Sequence, residues 1–437
     1  MVMTSGNIAD EAIIADNDKA FAELASVADY FLVHNRAIRY RCDDSVARVV
    51  DGQRQLLRRS RGYTPRVIEL GREFPSVLAV GAQMKNTVCF LKADKALLSQ
   101  HLGDMDNAGA YEFFQETLEH LGELLSFKPV AVAHDLHPDY ETTSFARAMP
   151  ISKKIAIQHH EAHIAGCLAQ HRALDEQVIG LSFDGTGYGR DGCIWGGEIF
   201  VGQVPDLRRA GYFDYLPMPG GEQAIKGPWR MAVAYLKKTF GSDYHKLSLP
   251  LLEKYRQQLP AIDKLIEQEI NSPMTSSCGR LFDAVSSLVG LCDFNTFEGE
   301  AAITLEMAIK EPEAKAYPYT LGQDENGCYV VDFGATIKAI VTDLEQELGP
   351  GVISGKFHRT IIKLCVEMAK TLSAETGIRK VVISGGVFQS NFLHSEVKRL
   401  LAQAGFEVYA NTITPPNDGG ISLGQAVLAG LILQGEE

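Results

Sequence analysis

The chain has 437 residues, 46% of them apolar, and a net charge of −13. That length allows two or three domains with a large core. The acidic balance argues against a general nucleic-acid binder, which needs surplus Lys and Arg to neutralise phosphates.

Eight cysteines without a C-x-x-C pair exclude a zinc ribbon and give no disulfide framework. No signal peptide is evident, so a reducing, cytoplasmic location is expected. No apolar run approaches the roughly 18 residues of a membrane span. The cysteines are expected to be buried small hydrophobes, none of them a nucleophile.

In chain order, residues 18–28 read as a helix and residues 30–33, 45–50 and 55–58 as short strands. Nine arginines against three acids lie between Arg36 and Arg66. Such a run serves either a polyphosphate ligand or a solvated face. After a break near residues 65–75, residues 77–82 and 87–91 read as strands joined by a tight turn, followed by a helix over 112–125. The architecture returns at residues 178–183, a turn through 184–192, a strand over 193–201 and a helix over 231–238. Residues 244–273 read as a helical insertion. A buried strand at 381–383 leads into Ser384-Gly385-Gly386-Val387 and a helix over 395–403, and residues 427–433 read as a buried C-terminal helix. Two hairpin-led α/β lobes predict the actin-like ATPase and sugar-kinase fold, an α/β class. The expected layout is residues 1–68, then 75–437 in lobes of about 75–176 and 177–437.

His159 and His163 stand at i, i+4, so on a helix both imidazoles leave one face and reach one cation. The same spacing suits a capped or core-bonded pair. His160-Glu161 is followed by one residue before His163, so the zincin H-E-x-x-H pattern is not met. A third ligand has to come from elsewhere, and Asp418, in the polar turn Pro415-Pro416-Asn417-Asp418-Gly419-Gly420, is the candidate. Gly187-Tyr188-Gly189-Arg190-Asp191-Gly192 matches G-x-G-x-x-G, but strand-like residues follow it where a dinucleotide fingerprint needs a helix. A glycine hairpin that holds a phosphate or a metal-bound oxygen, with Asp184 at the strand end, fits better; a plain hairpin turn remains open. No Walker A motif is present. Gly385-Gly386 directly after a strand lets a ligand touch backbone. Gly279 with Asp283, and Glu298 with Gly299, are similar in kind and suit ribose hydroxyls.

These blocks, together with Gly81-Ala82-Gln83-Met84-Lys85-Asn86-Thr87, His134-Asp135-Leu136-His137-Pro138-Asp139-Tyr140, Pro219-Gly220-Gly221 and Pro228-Trp229-Arg230, resemble the carbamoyltransferase region of the hydrogenase maturation factors of the HypF family. The resemblance runs from about residue 77 to 430, and it extends to the catalytic subunit of tRNA threonylcarbamoylation. Met3-Thr4-Ser5-Gly6-Asn7, His34-Asn35-Arg36 and Arg58-Arg59-Ser60-Arg61-Gly62-Tyr63 resemble the second half of the YrdC-like, α+β domain that precedes that region.

The resemblance implies that His159, His163 and Asp418 bind one divalent ion, iron or zinc, with Asp184 close by. It implies a nucleotide held by Gly185, Thr186, Gly187, Gly279, Asp283, Glu298, Gly299, Gly385, Gly386 and Asn391, with Ser5 and Asn7 in the YrdC-like part. Lys85 and Arg230 are expected on the carbamoyl and phosphate side, a role inferred for both although Arg230 lies in a block that resembles the family's, and Asp184 is the third catalytic candidate. The substrates would be ATP, accompanied by Mg2+, and carbamoyl-adenylate, and the partner the C-terminal tail of HypE, whose cysteine thiol receives the carbamoyl group. No nucleic acid or membrane takes part. An O-carbamoyltransferase of this fold and a non-catalytic fragment that binds nucleotide or HypE are the alternatives. The family's acylphosphatase domain, zinc-binding cysteine pairs and first half of the YrdC-like domain are not in this sequence. A truncated product or a fragment is therefore expected, unable to make carbamoyl-adenylate from carbamoyl phosphate unless a separate chain supplies the rest. Glu300, where the family suggests glutamine, is expected to weaken nucleotide contacts by its charge.

Overall fold

The computed structural model describes residues 5–8 and 11–436. Met3 and Thr4 of the YrdC-like block lie outside them. The chain forms two units, one of residues 1–175 and 410–437 and the other of residues 176–409.

The first unit is built on a six-stranded mixed sheet in the order Ile68–Glu69, Lys95–Leu98, Cys89–Lys92, Val77–Ala79, Ala131–Asp135, Lys153–Ile157. Val77–Ala79 pairs antiparallel with Cys89–Lys92, which is the expected hairpin, and parallel with Ala131–Asp135. All five residues of Ala131–Asp135 are buried, as befits a strand covered on both faces. Ala108–Leu124 presents Phe113, Phe114 and Leu121 to the core shared with Leu78, Phe90 and Val132.

The helices His159–Gln170 and Ile421–Gly435 pack on each other in this unit. Both are nearly wholly buried: Ile421–Gly435 is apolar almost all round, whereas His159–Gln170 buries three histidines and a glutamate in its first turns. Their approach depends on glycine. A Cβ on Gly424 would lie 1.9 Å from the Ala162 carbonyl oxygen, and one on Gly166 would lie 3.1 Å from that of Gly420. The expected second lobe ran to residue 437; residues 410–437 instead return to the first unit, because the apolar C-terminal helix finds its cover there.

The N-terminal segment adds a hairpin, Val46–Val50 with Gln53–Arg58. Asp51 and Gly52 both have positive φ, the requirement of a two-residue turn that follows strand twist. Residues 30–33 form no strand. Tyr30 and Leu32 are almost fully exposed, so β-prone residues without a pairing edge stay irregular. Several of the arginines have local partners. Arg59 is buried and donates to the carbonyls of Tyr63 (3.0 Å) and Arg66 (2.7 Å), and Arg58 and Arg41 pair with Asp43 (2.9 Å) and Glu116 (2.6 Å).

The second unit carries a sheet whose main path is Thr320–Gln323, Tyr329–Asp332, Arg208–Phe213, Ile194–Gly202, Val178–Tyr188, Lys380–Ser384, Glu407–Ala410. Val178–Tyr188 runs antiparallel to Ile194–Gly202 and parallel to Lys380–Ser384. The expected turn through 184–192 is shorter than the sequence suggested. The strand continues to Tyr188 and the chain reverses at Gly189–Gly192. Residues 184–187 stay in the sheet because the facing Gly196 has no Cβ, which would sit 2.6 Å from the Asp184 carbonyl oxygen, and a bulge there offsets the register. The expected insertion is helical, with Pro250–Lys254 and Leu259–Glu267.

Candidate active site

In the first unit, two parallel strands bring the polar groups together. Asp135 ends its strand in register with Ile157 of the neighbour, and the His159 helix begins two residues later. Gln158 caps that helix, its Oε1 accepting from the N–H groups of His160 (2.7 Å) and Glu161 (2.9 Å). His159 Nδ1 lies 2.8 Å from Oδ2 of the fully buried Asp135, whose Oδ1 accepts from the His137 N–H at 2.9 Å. The carboxylate selects the Nδ1–H tautomer and turns Nε2 the other way. That Nε2 lies 3.6 Å from Asp418 Oδ1, and His163 Nε2 lies 3.9 Å from the same oxygen. The ligand atoms of His159, His163 and Asp418 fall within 4.8 Å of one another.

This donor set fits a divalent ion. Two imidazoles with a carboxylate, one imidazole backed by a second carboxylate, are the arrangement that binds iron or zinc and leaves a coordination position open. Two carboxylates flanking buried rings also leave negative charge that a cation would compensate. Asp418 opens a short turn after Asn417, whose Oδ1 accepts from Gly419 N (3.0 Å) and whose Nδ2 donates to the Leu57 carbonyl (3.1 Å). The N-terminal hairpin thus steadies the turn that bears the carboxylate. Close by, Asp104 accepts from the Lys85 N–H at 2.7 Å. Burial raises the Asp104 carboxyl above its ordinary range, and the charge of Asp418 adds to this while Lys85 opposes it. Burial, with Arg58 and Lys85 nearby, depresses the His101 imidazole to about 3, so His101 is neutral.

In the second unit, three backbone segments meet at Asp184. Its Oδ1 accepts from the Gly185 N–H (2.7 Å) and its carbonyl accepts from Ser277 Oγ (2.9 Å). Ser277 caps the helix Cys278–Leu288. A Cβ on Gly279 would stand 2.8 Å from Gly185 Cα; on Gly386, 2.8 Å from Asp184 Oδ1; and on Gly385, 2.2 Å from the Phe183 carbonyl oxygen, where φ is +103°. Only glycine allows this approach. The result is a cradle of main chain with a helix N-terminus pointing in, which suits an anion.

Asp283 sits one turn into that helix, buried, its carboxyl pushed up to about 6 by burial with Arg280 opposing. Gly187 is buried and Thr186 half-buried within the strand. Arg230 is half-buried on Pro228–Phe240 and donates to the Pro219 carbonyl (3.4 Å), with burial lowering its pKa. Glu298 is exposed ahead of Gly299, the left-handed cap of Glu300–Met307, and Asn391 is exposed at the start of its helix. Glu300 folds back to accept from Thr296 Oγ1 at 2.8 Å. At the N-terminal end Ser5 is half-buried, and Asn7 Nδ2 donates to the Ile8 and Glu11 carbonyls. The cysteines are not all buried: Cys89, Cys167, Cys278 and Cys365 are, while the other four are half-buried, and all eight are free thiols.

Comparison with known proteins decides the family. Residues 180–425 match the model of the carbamoyltransferase Kae1-like domain, second subdomain, and residues 72–170 that of the HypF Kae1-like domain. The chain belongs to the HypF carbamoyltransferase family. Residues 1–60 match the Sua5/YciO/YrdC model. The carbamoyltransferase HypF of Synechocystis sp. is 40% identical over 97% of this chain and 56% of its own length. A HypF homologue of Cupriavidus necator is 32% identical over 82% of this chain and 92% of its own. A crystal structure of full-length HypF in a phosphate- and nucleotide-bound form superposes with a TM-score of 0.94 at 41% identity, covering 99% of this chain and 67% of that one. The chain thus spans about half the length of full-length curated relatives such as the Synechocystis protein. The α/β fold expected from the two hairpin-led halves is the HypF fold.

Sequence reasoning missed Asp135 in this HypF-family site, although the block His134-Asp135-Leu136-His137 after a buried strand offered a signal. Asp135→Asn keeps the shape but removes the charge behind His159. Metal affinity, read by competition with a chelator, is expected to fall about 10- to 100-fold, the usual cost of losing such a partner.

Proposed function

We propose that this chain moves the carbamoyl group of carbamoyl-adenylate to the C-terminal cysteine thiol of HypE, the carbon and nitrogen that become the cyanide ligand of the nickel–iron hydrogenase. The observation that carries this reading is the Asp135–His159 pair, with His163 and Asp418 converging on the same point, in a chain of the HypF family. A divalent ion, iron or zinc, would supply Lewis acidity toward the adenylate phosphate. His159, His163 and Asp418 would hold it, with Asp184 assigned beside it by the family resemblance.

The chain's own groups do the rest. The backbone at Gly185–Gly187 and Gly385–Gly386 receives the phosphate, and Asp283 and Glu298 the ribose hydroxyls. Thr186, Gly279, Gly299 and Asn391 complete the nucleotide contacts, and Ser5 and Asn7 belong to the YrdC-like part. The thiolate sulfur bonds to the carbamoyl carbon, and the bond from that carbon to the phosphate oxygen breaks. AMP leaves with the electron pair. Lys85 and Arg230 are the donors proposed for the charge that develops. Mg2+ accompanies ATP where the nucleotide is ATP. Eight free thiols and a thiol acceptor suit the reducing cytoplasm. Among the described residues no helix is long and apolar enough to cross a membrane.

The test uses the full chain loaded with iron or zinc, pre-made carbamoyl-adenylate, and a peptide that ends as HypE does. AMP release is expected only when the cysteine peptide is present. Release with a hydroxyl acceptor in its place would point to O-carbamoylation. No release with any acceptor would reduce the chain to a binding fragment.

A further inference from the structure

Arg280 stands in the first turn of the helix Cys278–Leu288, at the cradle. Its side chain is 8% exposed. Nη2 lies 3.0 Å from Asp283 Oδ2 and 3.4 Å from where a Gly185 Cβ would be. Nε and Nη1 are buried and find no hydrogen-bond acceptor among the described residues. A guanidinium has five N–H donors and stays charged, so the Nε–H and both Nη1–H bonds are left over.

Two features make this arrangement costly by itself. A buried charge needs its donors satisfied. A cation at a helix N-terminus also faces the positive end of the dipole, where an anion belongs. Asp283 answers part of the charge on one side only, and burial holds its carboxyl toward the neutral form. An anion with several acceptor oxygens next to Gly185 would satisfy these donors, and a phosphate has that chemistry.

We infer that Arg280 is the side chain that binds the phosphate of the nucleotide in the glycine cradle of the second unit. This rests on the reading of that cradle as a nucleotide site. It makes Arg280 a specificity residue for phosphorylated ligands, where main-chain N–H groups alone would hold any small anion.

The experiment titrates the full-length chain, wild type and Arg280→Gln, with AMP, adenosine and inorganic pyrophosphate by calorimetry. AMP is expected to bind Arg280→Gln about 10- to 100-fold more weakly than wild type, the range for a lost charge-assisted hydrogen bond, with adenosine changed less than about twofold. Equal losses for AMP and adenosine would make Arg280 a support for Asp283 and overturn the inference. Unchanged AMP binding would overturn it too. If Arg280→Gln fails to fold, judged by its thermal melt, Arg280→Lys gives the same comparison with a smaller but still AMP-selective loss. A wild-type chain that binds pyrophosphate but neither nucleotide, with pyrophosphate lost in the variant, would keep the anion site and sink the nucleotide reading. A wild-type chain that binds none of the three would remove both.

Discussion

Replacing His163 with alanine is expected to weaken the bound ion by about 100-fold. Structural zinc in four-ligand sites is worth about 10–16 kcal/mol, or about 3 kcal/mol per ligand. After gel filtration in a mild chelator, elemental analysis should find about one ion per wild-type chain and almost none in the variant. Carbamoyl transfer should fall with it. The fold should survive, because alanine is the best helix former and the ring is one side chain of a long buried helix. Its neighbour is the control. His160 is equally buried, but its Nδ1 lies 3.2 Å from Gln158 Nε2, and it is not among the groups that converge with Asp418. His160→Ala should disturb packing and keep the ion. If both variants hold the ion equally well, the i, i+4 pair is a packing feature and the metal reading is wrong.

Gly424→Ala is expected to damage the site from a distance. The added methyl would lie 1.9 Å from the Ala162 carbonyl oxygen and 2.6 Å from its carbon. Ordinary contact needs about 3.5 Å, so the two helices would have to part by about 1.5 Å. One of these helices carries His159 and His163, and the other follows directly from the Asp418 turn. Metal geometry tolerates about 0.2 Å. Alanine's helix propensity returns only about 1 kcal/mol, against about 3 kcal/mol or more for an overpacked contact that meets backbone, the upper end of the usual range. Urea unfolding should show that net loss, with loss of the ion. Gly122→Ala, in Ala108–Leu124 with nothing near its Cβ, should be neutral or stabilising by up to about 1 kcal/mol. Equal stability of the two variants would mean that the glycine contact between the helices is slack.

Local sequence exposes some parts of this molecule and hides others. The His159 helix was readable because i, i+4 is a local spacing, and the strand into Asp184 because a β-branched and aromatic run meets glycines. Asp135 was not readable as a partner of His159. They are 24 residues apart, and their meeting depends on the register of two parallel strands, which no local pattern encodes. Arg280 escaped for a related reason. An arginine in a helix reads as solvated until the fold buries it beside Gly185. The reversal at Gly189–Gly192 was misplaced because glycines between strands read as turn, whereas here facing glycines let the strand continue through a bulge. The strand expected at residues 30–33 failed because β propensity needs an edge to pair with. The helix Ile421–Gly435 was recognised as buried, but an all-round apolar sequence does not say which unit covers it.

One measurement bears most directly on the whole account: the mass of a HypE C-terminal peptide after a single turnover with carbamoyl-adenylate and the metal-loaded chain. A gain of one carbamoyl group on the terminal cysteine is expected, abolished when the ion is stripped and restored when it is returned. An unmodified peptide from a folded, metal-loaded chain, or a modification indifferent to the ion, would contradict it.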